Sequence, residues 1–129
     1  MKHTLAVLAV FAFAWGGCAT TNPASDGLEG VQFEDLPAAE GMKLEKPGYG
    51  FKTPSGNIRE YNEYYVGTRK LETIKSFYEK AFPVHGWSLV TSEGTDPATL
   101  VFEKRAEKVI VTLKNAGDQL KVHVHTTGK

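Results

Sequence analysis

Residues 69–87 read RKLETIKSFYEKAFPVHGW, and this stretch decides the fold. Apolar residues recur within it at spacings of three and four, which predicts an amphipathic helix over about residues 69–82. The apolar stripe consists of Leu71, Ile74, Phe77, Tyr78, Ala81 and Phe82. Thr68 is placed to cap the helix, because its hydroxyl can accept a hydrogen bond from a free backbone N–H. Pro83 is expected to end it, since a proline disfavours helical conformation in the preceding residue.

Strand patterns lie on both sides of this helix. Before it, residues 41–46 form a short extended candidate, and residues 58–66 are rich in β-formers. Four further strand candidates follow it, at residues 87–91, 100–104, 109–113 and 120–126. In the last of these, Leu120, Val122 and Val124 alternate with polar residues, which is typical of an antiparallel strand with one wet face. The order β-β-α-β-β-β-β predicts an α+β fold, a single antiparallel sheet of about five to six strands with one helix packed on one face.

Composition restricts the possible functions. The chain has 129 residues, enough for one domain, and is 41% hydrophobic and 23% charged. Fifteen basic residues balance fifteen acidic ones, so there is no basic excess to favour nucleic acid or a polybasic membrane patch. The single cysteine, Cys18, excludes an internal disulfide and a zinc site built on several cysteines.

The N-terminus has the three parts of a secretory signal. A basic start, Met1-Lys2-His3, precedes the apolar run Leu5–Trp15, and two glycines stand directly before Cys18. This pattern predicts a signal peptide over residues 1–17. The run is well short of the roughly 20 residues that span a bilayer as a helix. A short buried core helix is the alternative, which we disfavour because no face of the run is polar.

The segment also resembles the lipobox of bacterial lipoproteins. Gly16, Gly17 and Cys18 match that motif, while Trp15 stands where the family usually has Leu, Val or Ile. The resemblance implies cleavage before Cys18 and lipidation of this residue. The acyl chains on Cys18 would then be the contact with a membrane. Ordinary secretion with an incidental thiol is the alternative. Two or three chains make release negligible. Ala19, in place of an aspartate, implies an outer-membrane address facing the periplasm.

We expect residues 18–30 to be a lipid-attached flexible tether and residues 31–129 to be the single domain. The tether is small, polar and contains Pro and Gly, so it cannot bury enough surface to order itself. The domain resembles small bacterial envelope lipoproteins of uncharacterised function that share an "FY…P…GW" helix-to-strand module. The matching residues are Asp35-Leu36-Pro37, residues 41–44, Tyr65-Val66-Gly67, Phe77-Tyr78, Phe82-Pro83, Gly86-Trp87 and residues 100–104. These are mostly packing and turn residues, so the resemblance implies a fold and no catalytic residues.

Two histidines are the candidate metal ligands. His123 and His125 lie two apart on the wet side of a strand, so their side chains are about 6.5–7 Å apart on one face. That spacing can hold a metal between two imidazoles, although a third ligand such as His85 or an acidic side chain is needed. The alternative, which we favour, is two solvated residues and no metal site.

Aromatic and aliphatic residues are the candidates for binding a partner. Tyr61 and Tyr65 share one strand face, within a run of aromatics before the helix, and Tyr is enriched at protein interfaces. Val90, Val101 and Ile110 are expected on the sheet face away from the helix, where three aliphatic side chains could mark a contact surface. The alternatives are that the tyrosines cover the core or a sheet edge, and that the aliphatic residues are ordinary scattered exposures.

No motif for nucleophilic catalysis or phosphate binding occurs in the sequence, and no cofactor is expected. We therefore expect a non-enzymatic, membrane-anchored lipoprotein that binds another envelope protein or supports an assembly. A small-molecule or metal-binding periplasmic module that uses the open sheet face is the alternative. An enzyme would need a pocket with several converging polar groups.

Overall fold

A computed structural model describes residues 27–54 and 58–129. The predicted signal peptide, the predicted lipidation site Cys18 and most of the expected tether lie outside the described residues. The described elements are β1 (Met42–Leu44), β2 (Tyr49–Lys52), β3 (Arg59–Gly67), α1 (Leu71–Val84), β4 (Ser88–Glu93), β5 (Ala98–Lys104), β6 (Glu107–Ala116) and β7 (Gln119–Gly128). The predicted α+β fold is confirmed, because one helix packs on one antiparallel sheet.

The sheet has seven strands, one or two more than expected. Its order is β1-β3-β7-β6-β5-β4, and β2 pairs with the part of β3 that β1 leaves free. The long hairpins β5–β6 and β6–β7 form the centre, where every pairing is antiparallel. The first two strands therefore share one edge of the sheet, and β4 forms the other.

The helix packs through its aromatic residues. The Phe82 ring stacks on Phe102 of β5 with centroids 4.6 Å apart, and it meets Trp87 edge-on at 6.1 Å. Phe82 and Phe102 are fully buried, and Trp87 is almost so. The stripe that predicted the helix therefore forms its contact with the sheet, as expected from the spacing of its apolar residues.

Both ends of the helix differ from the prediction. The helix begins at Leu71, and the N-cap residue is Lys70, in extended conformation and with no side-chain cap, instead of Thr68. Pro83 lies inside the last turn. The chain leaves the helix directly after it, where the Phe82 carbonyl accepts hydrogen bonds from the backbone N–H groups of His85 and Trp87.

Strand β2 lies in a segment whose Pro and Gly residues predict turns. Its glycines serve a different purpose, because the neighbouring strand comes too close for a larger residue. A Cβ at Gly50 would collide with the backbone carbonyl of Glu60, and one at Gly48 would collide with the Tyr61 hydroxyl. Glycine at these positions permits the close approach that the pairing of β2 with β3 requires.

The ordered domain begins before residue 31. Gly27 forms a bridge with Phe51, and the Leu28 N–H donates to the Gly50 carbonyl at 2.9 Å. Leu28 is half-buried and packs against the core. Residues 27–30 therefore belong to the edge of the sheet and not to the tether, because backbone pairing and one apolar contact fix them there.

The alternation of side chains along β3 places two predicted partner-binding residues, Tyr61 and Tyr65, in the core. Tyr61 is 1% exposed and Tyr65 is 3% exposed, so neither side chain is available to a partner. The prediction that they bind a partner is wrong, because the odd-numbered residues of β3 face the helix. Both rings belong to the core, and Tyr61 donates a hydrogen bond to the Val31 carbonyl at 2.6 Å.

Candidate binding surface on the open face

The sheet face opposite the helix, called the open face below, carries one continuous row of side chains across six strands. Strand register places its members side by side in the order Tyr49, Asn62, His125, Ile110, Val101 and Thr91. All six are exposed or half-buried. Aromatic and polar residues therefore occupy the half of the row near β2, and aliphatic residues occupy the half near β4.

Parallel rings form the aromatic half. Tyr64 stacks on His123 with centroids 4.3 Å apart and planes 1° from parallel, and His123 continues to His125 at 5.9 Å. Tyr49 stacks on the other side of Tyr64 at 6.3 Å. The faces of the rings within this stack are turned toward neighbouring rings. The stack therefore offers ring edges and polar tips to solvent instead of open faces. That geometry disfavours stacking of a planar ligand and favours a rigid contact surface.

Both histidines have partners within the protein. The Nε2 atom of His123 lies 2.8 Å from the amide oxygen of Asn62, and that of His125 lies 3.2 Å from a carboxylate oxygen of Glu60. Burial and the neighbouring His125 lower the pKa of His123. Burial raises the pKa of Glu60, but hydrogen bonds from Thr127 and His125 outweigh it and leave this pKa below its usual value.

The predicted two-histidine metal pair lacks a third ligand. Within residues 27–54 and 58–129, no three His, Cys, Asp or Glu side chains stand close enough together to hold a metal ion. His85, the suggested third ligand, instead lines a cleft with Glu103 at the end of the β5–β6 hairpin. Metal binding through His123 and His125 therefore remains the disfavoured alternative, and the expectation of no metal site stays a prediction.

The aliphatic half of the row lies where the sequence predicted it. Val101 and Ile110 pair directly across β5 and β6 on the open face, and both are half-buried. Val90 is 51% exposed at a register shift in β4, whereas Leu89, which is 44% exposed, pairs with the buried Phe102 and so lies on the helix side of the sheet. Val90, Val101 and Ile110 form an apolar patch toward the β4 edge of the sheet, which we call the β4 patch. Its role in binding remains a prediction.

An ion network on the other side of the sheet was not predicted. Arg59 is 7% exposed and donates two hydrogen bonds of 2.8 Å to Asp35. It also donates to both carboxylate oxygens of Glu107, while the Lys104 ammonium lies 2.7 Å from Asp35. Because Asp35 precedes β1 and its partners Arg59 and Lys104 lie in β3 and β5, the network fastens the N-terminal segment to the sheet. We interpret it as structural.

Glu63 is a buried acid that has no cation among its partners in the described part of the chain. Glu63 is 3% exposed, and its carboxylate accepts a 2.9 Å hydrogen bond from the Tyr65 hydroxyl. Burial raises the pKa of Glu63, and the Tyr65 hydrogen bond opposes that rise only in part. The Tyr78 hydroxyl is also buried and has no hydrogen-bond partner among the described residues. The sequence contained the signal for this acid, since Glu63 occupies an odd, core-facing position of β3.

A polar cleft lies at the end of the β5–β6 hairpin. It has a volume of about 600 Å³ and is lined by His85, Gly86, Ser88, Glu103, Lys104, Arg105 and Lys129. Two of its cations are already paired, Lys104 with Asp35 and Lys129 with Glu103.

Comparisons with protein families, with curated proteins and with solved structures gave no match. The interpretation of the open face therefore depends on its own geometry. The described residues contain no helix that is both long enough and apolar enough to cross a membrane.

Proposed function

We propose that this protein is a non-enzymatic bacterial envelope lipoprotein that is anchored through acyl chains on Cys18 and binds another envelope protein through its open face. The observation that carries the binding role is the β4 patch, which places exposed and half-buried aliphatic side chains together on an otherwise polar surface. The β4 patch consists of Val90, Val101 and Ile110.

The β4 patch lies on a rigid part of the sheet and has an apolar centre. Val101 and Ile110 lie in paired strands of the sheet, so docking a partner on them costs little ordering of the backbone. The stacked rings of Tyr64 and His123 stiffen the neighbouring surface. The rings hold each other by stacking, and His123 is also held by its hydrogen bond with the Asn62 amide. An apolar centre with a polar rim is the usual arrangement of a protein interface.

The anchor is supported by the sequence before the domain. A basic start, an apolar run and two glycines precede Cys18, in the order that a lipidated signal requires. Ala19 favours delivery to the outer membrane, facing the periplasm, by resemblance to other lipoproteins. Such an anchor would hold the domain beside the bilayer and raise its effective concentration toward a membrane-associated partner.

Mass spectrometry of the protein purified from its native membranes tests the anchor. We expect a mature chain that begins at Cys18 and carries the mass of a diacylglycerol and an amide-linked acyl chain. A Cys18→Ser variant should lose both the acyl mass and membrane retention. An unmodified thiol, or an intact leader, in the wild-type protein would overturn this part of the proposal.

Site-specific crosslinking tests the binding surface. A photoreactive residue at Val101 should give one discrete adduct in intact cells, and the same residue at the exposed helix position Glu72 should not. With the purified partner, Ile110→Asp should weaken binding at least tenfold, because it places a charge in the apolar centre, whereas Glu72→Ala should leave affinity unchanged. Equal adducts at both positions, or unchanged affinity of Ile110→Asp, would contradict the proposed surface.

A further inference from the structure

The β2 edge exposes two neighbouring aromatic side chains. Tyr49 is 42% exposed and Phe51 is 52% exposed, and both lie on the open-face side of this short strand. Two exposed lysines accompany them, Lys46 and Lys52. The Lys46 ammonium lies 5.2 Å from the Tyr49 ring centre and 5.0 Å from that of Tyr64. Exposed rings mixed with lysine stems are the composition of a membrane–water interface.

The chain enters the domain at this same edge. Gly27 bridges directly to Phe51, and the Gly30 N–H donates to the Gly48 carbonyl at 2.8 Å. Nine residue steps separate Cys18 from Gly27. Even a fully extended chain of that length spans at most about 30 Å. Any anchor at Cys18 therefore keeps the β2 edge within about 30 Å of the surface in which the anchor is embedded.

We propose that the β2 edge lies on the anionic lipid surface to which the protein is anchored, with Tyr49 and Phe51 at the headgroup level. This inference rests on the proposed lipidation of Cys18. Lys46 and Lys52 supply the charge complementarity toward anionic headgroups. The nearby Glu45 does not cancel it, because its carboxylate pairs with Lys121 at 3.3 Å.

This contact would orient the rest of the open face. Four strands separate β2 from β4 in the sheet, and at a spacing of about 4.8 Å the two edges lie roughly 24 Å apart. With β2 on the lipid, the β4 patch points away from the bilayer. A partner would then approach from the periplasmic side, and membrane contact and partner binding would use opposite ends of one face.

Depth-dependent quenching of tryptophan fluorescence tests the orientation. The acylated protein is reconstituted into phosphatidylglycerol–phosphatidylethanolamine vesicles with brominated acyl chains, as Phe51→Trp and, as the matched control, Val90→Trp. Trp87 gives the same background in both variants because it is buried. We expect at least twofold stronger quenching for Phe51→Trp than for Val90→Trp. Tyr49→Trp, read in the same way, replaces Phe51→Trp if circular dichroism shows that the latter does not fold.

The outcomes separate this inference from the anchor on which it rests. Equal quenching at the two positions, or none at Phe51→Trp in protein whose acylation is confirmed by mass spectrometry, would overturn the orientation and leave the anchor standing. Protein that carries no acyl chains and does not float with vesicles would overturn both.

Discussion

The two faces of the sheet hold their aromatic rings by different means. On the helix face, Phe82, Phe102 and Trp87 are buried among one another, and water is excluded from all three. On the open face, Tyr64 and His123 stack within the sheet surface and remain partly exposed. This difference indicates that the helix face supplies the stability of the domain, whereas the open face is available for binding. Substitutions can test this division, because it predicts large losses of stability on one side and small ones on the other.

The largest effect is expected at the centre of the helix contact. Phe82→Ala should lower the free energy of unfolding by about 3–5 kcal/mol, because it removes a fully buried ring and leaves a cavity beside Phe102. Val101→Ala, on the open face, should cost less than about 1 kcal/mol, because its side chain is only half-buried. Urea denaturation measures both. Similar losses at the two positions would break the division between the faces.

The ion network should give the next largest effect. Arg59→Met should cost about 3 kcal/mol at pH 7, because it leaves Asp35 and Glu107 without their buried cation. Lys75→Met is the matched control, since it breaks a surface pair with Glu79 whose atoms are 3.8 Å apart and should cost less than about 0.5 kcal/mol.

The same network should depend on pH in a defined direction. Burial raises the pKa of Asp35, but hydrogen bonds from Arg59 and Lys104 outweigh it and lower this pKa from 3.8 to about 2. Because the folded-state pKa lies below the unfolded one, the stabilisation is present above about pH 4 and is lost as pH falls toward 2. The difference between wild type and Arg59→Met in urea denaturation should therefore shrink between pH 7 and pH 2.5. A constant difference would show that packing, not charge, carries the contribution of Arg59.

Two glutamates of β3, one on each face, should respond to charge removal with opposite sign. Glu63→Gln should raise the free energy of unfolding by about 1 kcal/mol at pH 8, because it removes a buried charge and keeps an acceptor for the Tyr65 hydroxyl. Burial raises the pKa of Glu63, so ionisation destabilises the folded state as pH rises and the gain should vanish toward pH 4. Glu60→Gln should instead lower stability at pH 8, since hydrogen bonds lower the pKa of Glu60. Urea denaturation that gave both variants the same sign would contradict the two environments.

The smallest expected effect concerns the titration of His123. Burial and the neighbouring His125 lower its pKa, so its ring should titrate below 6.5. His125→Asn should raise the midpoint toward that value, because it removes the electrostatic influence of the neighbouring imidazole on His123. Chemical shifts of the ring protons, followed by NMR between pH 4 and 8, measure the midpoint in both proteins. A wild-type midpoint above 6.5 would show that His123 is more solvated than its stacked position indicates.

Regular periodicity in the sequence predicted the helix, the long strands and the placement of Val101 and Ile110. It did not predict β2, because glycines are typical of turns. The close approach of β3, which requires glycine in this segment, is not visible in the local sequence. The ion network was hidden for a similar reason, because Arg59 joins partners 24 and 48 residues away in sequence. Tyr61 and Tyr65 were placed on one face correctly, but alternation alone does not say which face the helix covers. Local patterns predict elements, whereas long-range pairing decides their environment.

The register shift in the edge strand β4 affects how readily copies of the protein can associate through their sheets. A register shift between Leu89 and Thr91 interrupts the run of backbone groups that this outer strand would otherwise offer to a second molecule. At the opposite edge, residues 27–30 cover β2 by their own hydrogen bonds. Proteins confined to two dimensions meet one another often, and a straight, unprotected border would invite them to polymerise by strand-to-strand addition. On the proposed anchoring at Cys18, this interrupted border is expected to let many copies share one bilayer without assembling into fibrils.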